Sequence, residues 1–259
     1  MKKNVCAVIM SILFLFLFFS TSLVFAEEAT RPASISVGGW FTTLGGTARA
    51  GSEVLGFRND LGIDNDTPLV FAAKYNWGKE FENGFELSYL SAKNNGSVAI
   101  SRSFTFNGRT FTLNNLVSSN LEVGIWEGLY NRKFISTKNG DLSGLVGVKL
   151  VSLKFDATNE TLGQTTSISV SNPIPEIGIG GNIKTGDKGS LYGKILASNV
   201  SSGRKKGNLI DYSLGFKYDV TPVFFDLGYR YLRIGAQTSS DRKGSIMYKG
   251  PFFSVGYTF

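Results

Sequence analysis

From residue 33 to the C-terminus, apolar and polar side chains alternate with a period of two, the spacing that puts one kind on each face of a β-strand. The clearest stretch sets Ile210, Tyr212, Leu214, Phe216, Tyr218 and Val220 against Asp211, Ser213, Gly215, Lys217 and Asp219. Phe225, Leu227, Tyr229 and Tyr231 alternate likewise with Asp226, Gly228 and Arg230, and Phe253, Val255, Tyr257 and Phe259 with Ser254, Gly256 and Thr258. Earlier stretches follow with more noise. Leu69, Phe71, Ala73, Tyr75 and Trp77 oppose Lys74 and Asn76; Phe85, Leu87 and Tyr89 oppose Glu86 and Ser88; Pro175, Ile177, Ile179 and Ile183 oppose Glu176, Gly178, Gly180 and Asn182.

The pattern predicts ten strands, near 33–43, 67–77, 84–94, 118–134, 142–155, 168–184, 190–199, 209–219, 222–236 and 247–259. Their lengths suit strands that cross a bilayer at a tilt, which takes roughly 9–11 residues. The connections alternate between short turns (78–84, 136–141, 186–189, 220–222) and long polar stretches (44–66, 95–116, 156–167, 200–208, 237–244). An even strand count with short turns at one end and long loops at the other is the layout of an antiparallel up-and-down transmembrane β-barrel. About ten strands are expected, with 8 or 12 as the neighbouring counts. Beyond residue 26 no run of 18 apolar residues occurs, so a helical membrane protein is excluded.

One strand resists the alternation. Leu121, Val123 and Ile125 read as a lipid face, and continuing it would put Glu127 toward lipid; a β-bulge near Ile125 would return Glu127 to the lumen. The second long loop contains Asn107-Gly108 between Phe104-Thr105-Phe106 and Arg109-Thr110-Phe111, a strong hairpin signal. As membrane strands these residues would turn Arg102 toward lipid with Val98 and Ile100, so the hairpin is expected outside the membrane. A soluble β-sandwich or lipocalin-like barrel would show the same alternation turned inside out. The terminal aromatic, the Tyr and Phe at strand ends and the asymmetric loops favour the membrane form.

Composition sharpens this picture at the N-terminus. Lys2 and Lys3 precede an apolar run from Val5 to Phe25, and Ala26 stands before Glu27, the order of an export signal peptide. The expected organisation is therefore a cleaved signal peptide over 1–26 and one barrel domain over 27–259. Cys6, the one cysteine, lies within the signal, so disulfides and cysteine metal sites are excluded from the mature chain. Without Lys2 and Lys3 the net charge falls from +7 to +5, too small and scattered an excess for nucleic acid.

The ending Phe253-x-Val255-x-Tyr257-x-Phe259 resembles the C-terminal signal of Gram-negative outer-membrane proteins, which implies recognition of Phe259 by the barrel-assembly machinery. Further short motifs resemble an uncharacterised proteobacterial outer-membrane barrel family. They are Asp60-Leu61-Gly62-Ile63-Asp64, Phe106-x-Gly108-x-x-Phe111 with Val117-x-Ser119, and Tyr248-x-Gly250-Pro251. The resemblance implies a small outer-membrane barrel with both termini in the periplasm, and carries no activity.

Candidate chemistry is sparse. With no His in the chain, a Ser-His-Asp or Cys-His arrangement and a His-ligated metal site are excluded. Outer-membrane phospholipases, lipid A deacylases and omptin-like proteases use such a residue, and this sequence departs from them. Asp60, Asp64 and Asp66 lack the EF-hand spacing and read better as a polar turn than as a Ca²⁺ site. Gly178-x-Gly180-Gly181 sits within a strand rather than before a helix, so it reads as small lumen-facing residues at a crowded point. Arg204-Lys205-Lys206 and Arg242-Lys243 are candidates for contact with lipopolysaccharide phosphates, or are ordinary loop charge. Lys74, Glu86, Glu176, Lys194, Asp211, Lys217, Asp226 and Arg230 should face the lumen and pair across it, because unpaired buried charges are costly.

No catalytic, cofactor or metal residue is assigned, and no enzyme activity is expected. The sequence points to a structural or surface-interaction barrel with a largely filled polar lumen, in contact with outer-membrane lipid and lipopolysaccharide. The alternative is a narrow porin-like channel for small polar or ionic solutes.

Overall fold

Period-two alternation can bury one strand face without a second layer only if the sheet closes on itself. The computed structural model, which describes residues 32–50, 53–100, 103–106, 109–202, 205–239 and 242–259, closes in that way. The expected signal peptide, Arg102, Asn107-Gly108 and Arg204 lie outside the described residues.

The strands are β1 (Ala33–Trp40), β2 (Thr43–Ala50), β3 (Glu53–Gly56), β4 (Leu69–Trp77), β5 (Asn83–Ala99), β6 (Phe104–Phe106), β7 (Arg109–Phe111), β8 (Leu116–Thr137), β9 (Gly140–Asn159), β10 (Gln164–Lys184), β11 (Gly189–Ser202), β12 (Lys205–Val220), β13 (Val223–Ser239) and β14 (Arg242–Thr258). Ten of them form an antiparallel ring in the order β1-β4-β5-β8-β9-β10-β11-β12-β13-β14, closed by β14 against β1. These ten match the ten strands expected from the alternation. The closing pair runs from Trp40 opposite Phe252 to Ser34 opposite Thr258, and the Phe259 amide adds a bond to the Ala33 carbonyl at 2.8 Å.

The remaining strands sit at the long-loop end. β2 continues past β1 along the upper half of β14, and β3 pairs back on β2. β6 and β7 form a separate two-stranded sheet, so the hairpin adds nothing to the ring. The free edge of upper β5 is covered by the 57–66 segment, where Ile63 bridges to Gly96 and the Asp64 amide donates to the Asn95 carbonyl at 3.0 Å. The backbones touch so closely there that a Cβ on Gly96 would sit 2.6 Å from the Ile63 Cα, which makes the site a glycine position.

Three of the five expected long loops are corrected. The chain at 156–167, 200–208 and 237–244 is mostly strand, because β9 and β10, β11 and β12, and β13 and β14 extend well beyond the ends the alternation predicts. The 44–66 stretch likewise contains β2 and β3. These extensions look like loop in sequence because polar and small residues occupy both of their faces, and the apolar inner face is continuous only up to Ala157, Leu209, Ile234 and Ile246.

The expected bulge near Ile125 is also corrected. β5–β8 and β8–β9 pair without interruption through Ile125, and the register shift in β8 lies between Lys133 and Ile135. Leu121, Val123 and Ile125 face inward, on the same side as Glu127, and all four are buried. Neighbouring Trp126 points outward at 49% exposure. From Val117 to Lys133 the side-chain parity does not change; what changes along this part of β8 is which face is apolar.

Candidate functional site

The interior is built in tiers. Around its middle, the alternation of β8, β9, β10, β12 and β13 delivers five charged side chains inward. Lys149, fully buried, donates to Glu127 Oε1 at 2.7 Å and Glu176 Oε2 at 2.6 Å, and its Nζ lies 3.2 Å from Asp211 Oδ2. Arg230 grips both Asp211 oxygens, from Nε at 3.0 Å and Nη2 at 2.6 Å, and stands 3.7 Å from Glu127. Ser88 adds a hydroxyl bond to Glu127 at 3.2 Å. Two cations thus hold three carboxylates in a network spanning the lumen, the arrangement that makes burial of charge tolerable.

Toward the long-loop end the interior is apolar. Leu44, Leu90, Leu121, Val123, Ile125, Val151, Phe155, Leu209, Leu232 and Ile234 form one buried cluster. Loop residues complete it: Phe57, Leu61, Ile63, Ile100 and Phe111 are buried in the same cluster, so the 57–66 segment and the β6–β7 hairpin stopper the barrel. One polar bridge crosses this layer, where the Tyr248 hydroxyl donates to Asn94 Oδ1 at 2.8 Å while Asn94 Nδ2 donates to the Asp64 carbonyl at 3.0 Å. Trp40 seals the boundary between tiers. It is fully buried, donates its indole N–H to the Gly250 carbonyl at 3.0 Å, packs on Tyr248, and presents its ring face to the Arg230 guanidinium, 5.3 Å from the ring centroid.

Toward the short-turn end the lumen opens into a polar chamber of about 1010 Å³ whose inner limit includes Trp40, Leu129, Leu145 and Arg230. Here Tyr192 donates to the Asp226 carboxylate at 2.8 Å, Lys194 stands 3.5 Å from Glu86, and Lys217 pairs with Asp219 at 2.9 Å and lies over the Phe224 ring. Lys74 also lines the chamber. The eight residues expected in the lumen are therefore inside. They divide between the central network (Glu176, Asp211, Arg230) and the chamber (Lys74, Glu86, Lys194, Lys217, Asp226), rather than forming one set.

No protein-family model and no curated protein matches the sequence. Solved structures do. The outer-membrane protease OmpT of Escherichia coli matches with a TM-score of 0.56 at 10% identity, over 91% of this chain and 99% of that one. The translocator domain of the autotransporter NalP of Neisseria meningitidis matches with a TM-score of 0.50 at 15% identity, over 100% of this chain and 98% of that one. The fold is that of a Gram-negative outer-membrane β-barrel. At these identities the likeness extends to the fold alone.

An outer-membrane barrel carries an apolar outer band, and this one does. Tyr75, Phe85, Leu87, Val146, Val148, Ile177, Ile179, Leu214, Phe216, Leu227 and Phe253 point outward and are exposed. Trp126 against Tyr89 (4.6 Å between ring centroids) and Tyr212 against Tyr231 (5.0 Å) mark an aromatic belt at its long-loop edge. Beyond that belt β8 and β9 turn polar outside, with Glu122, Lys154 and Asp156; the Ser167 hydroxyl, donating at 2.6 Å, holds the Asp156 carboxyl below its ordinary range.

The other candidate motifs resolve as structure. Asp60 Oδ2 accepts the Gly56 amide at 2.7 Å, and Asp66 accepts the Thr67 amide at 2.8 Å and the Lys93 amide at 2.7 Å. These carboxylates therefore brace the covering loop. Gly178 and Gly180 face the crowded interior beside Leu196 and Leu145. Gly181 faces outward beside Leu142, which corrects its expected inward placement. The sequence reading missed Lys149, the hub of the network, although Val146, Val148 and Leu150 flank it in register as an outward row. It also missed Trp40 and Tyr192, whose aromatic rings gave no sign that they point inward.

Proposed function

We propose that this barrel is a non-conducting, non-enzymatic structural or surface-interaction protein of the outer membrane, with its stoppered end extracellular and both termini periplasmic. The observation that carries this reading is the double closure of the lumen by the Lys149–Arg230 carboxylate network and the apolar layer above it. A layer of packed aliphatic and aromatic side chains, whose Tyr248 and Asn94 polar atoms already bond to one another, offers an ion few polar groups to replace its water. Among the described residues the chamber is lined from the short turns at Lys138 and Asp187 inward to Trp40 and Arg230, below the apolar layer, which argues against the narrow-channel alternative. The chain's lack of His removes the usual general base from any hydrolytic mechanism. Strands that continue beyond the lipid band with a polar outer face and an apolar core make a rigid projecting surface, suited to contact rather than transport.

Single cysteines test the topology, because the mature chain is expected to contain none. In intact cells, a membrane-impermeant maleimide should label Gly163→Cys at the β9–β10 turn and leave Asp187→Cys at a short turn unlabelled until the envelope is opened. Labelling of Asp187→Cys alone would overturn the proposed orientation.

A further inference from the structure

Just beyond the aromatic belt, the outer surface differs from one side of the barrel to the other. On the β5–β8–β9 side the outward charges neutralise one another, with Lys93 3.2 Å from Glu122 and Lys154 3.2 Å from Asp156. The β12–β13–β14–β2 side has no such balance. Its register sets Tyr212, Tyr231 and Lys249 in one outward row, and Ile210, Arg233 and Met247 in the next. Four residues further along, Lys206, Gln237, Lys243 and Arg49 form another row. All five cations are exposed. Among the described residues none of them forms an ion pair, and no acidic residue occupies an outward position on these strands between the two tiers.

We propose that this face binds the phosphorylated glycolipid headgroups of the leaflet at the stoppered end, a reading that rests on the orientation proposed above. Arg233 and Lys249 stand where the apolar band gives way, the depth at which headgroup phosphates lie. Lys206, Lys243 and Arg49 stand about 13 Å higher along the strands than Arg233 and about 20 Å higher than Lys249, by the rise of roughly 3.3 Å per residue, within reach of anionic groups on an attached oligosaccharide. With no carboxylate partner among the described residues, these Arg and Lys have no ion pair there to give up before taking a phosphate, and their bonds to it are charge-assisted. Tyr212 and Tyr231, in the row of Lys249 and one row below Arg233, supply the surface for the first acyl carbons. The two tiers at a lipid boundary select a membrane glycolipid over free phosphate.

The test uses the folded full-length protein in detergent, with bisphosphorylated lipid A, its dephosphorylated form, inorganic phosphate and complete phosphorylated lipopolysaccharide as probes, read by native mass spectrometry. Wild type should retain lipid A, and R233Q/K249Q should weaken it by about tenfold or more. R49Q/K206Q/K243Q should weaken complete lipopolysaccharide while sparing lipid A, and K93Q/K154Q should change neither. Heat-dependent gel migration identifies any variant that fails to fold, and weaker wild-type binding at raised salt tests the same claim without mutation. Equal retention of the dephosphorylated lipid, equal competition by inorganic phosphate, or full binding by folded R233Q/K249Q would each overturn the proposal. Detergent binding is independent of orientation, so lipid A retention combined with failed Gly163→Cys labelling would overturn the topology and leave the site standing.

Discussion

Replacing Lys149 by Met tests the central network, because Met keeps an unbranched side chain one atom shorter and removes the ammonium group with its charge and hydrogen bonds. Lys149 Nζ sits within 2.7 Å of Glu127, 2.6 Å of Glu176 and 3.2 Å of Asp211, with no solvent exposure. Without it, Arg230 still holds Asp211 and stands 3.7 Å from Glu127, but Glu176 loses its one charged partner among the described residues, where its Oε1 already lacks a hydrogen bond. Breaking a buried pair from one side costs about 3–5 kcal/mol, since the remaining charge stays buried and uncompensated. That corresponds to more than about a hundredfold in the folding equilibrium. Urea titration of the protein in lipid vesicles, followed by tryptophan fluorescence, measures it; Trp77 and Trp126 report from the lipid-facing surface. Lys149→Met should lose that stability, and adding Glu176→Met should recover much of it, because two buried charges are then removed together. A loss below about 1 kcal/mol, or no recovery in the double variant, would refute the reasoning.

Three further outcomes follow from which face each residue occupies. Val123→Asp puts an unpaired carboxylate into the dry upper core and should destabilise the barrel by several kcal/mol, whereas Glu122→Val on the polar exterior should stay within about 0.5 kcal/mol; urea titration separates them. Val146→Arg, on the lipid face of β9, should cost about 2–4 kcal/mol in the same assay. Phe259→Ala should lower the amount of heat-modifiable barrel recovered from the outer membrane, since the last aromatic is the expected assembly signal, with little effect on refolding in detergent.

Strand identity was legible because it depends only on period two. The sense of the alternation was not, because it depends on what surrounds the barrel at each height. On β8, Leu121, Val123 and Ile125 read as a lipid face, yet they lie beyond the aromatic belt, where water is outside and the core must be inside. The last three to five residues at the upper ends of β9 to β14 were hidden because their Ser, Thr, Asn and Lys look like loop composition. The charged lumen was partly legible: Asp211 and Arg230 stand between strong apolar neighbours, and so does Lys149, although its row was not read. Trp40 could not be read, since an aromatic in a membrane strand is ordinarily outward. The stoppering by Phe57 and Phe111 depends on loop paths that no local pattern encodes.

The claim that the lumen is closed is tested most directly by single-channel recording of the refolded protein in planar bilayers. The account predicts a silent membrane for wild type, with folded barrel verified by heat-dependent gel migration. Discrete, reproducible current steps whose ion selectivity changes in Lys217→Ala or Arg230→Ala would contradict it and establish a pore.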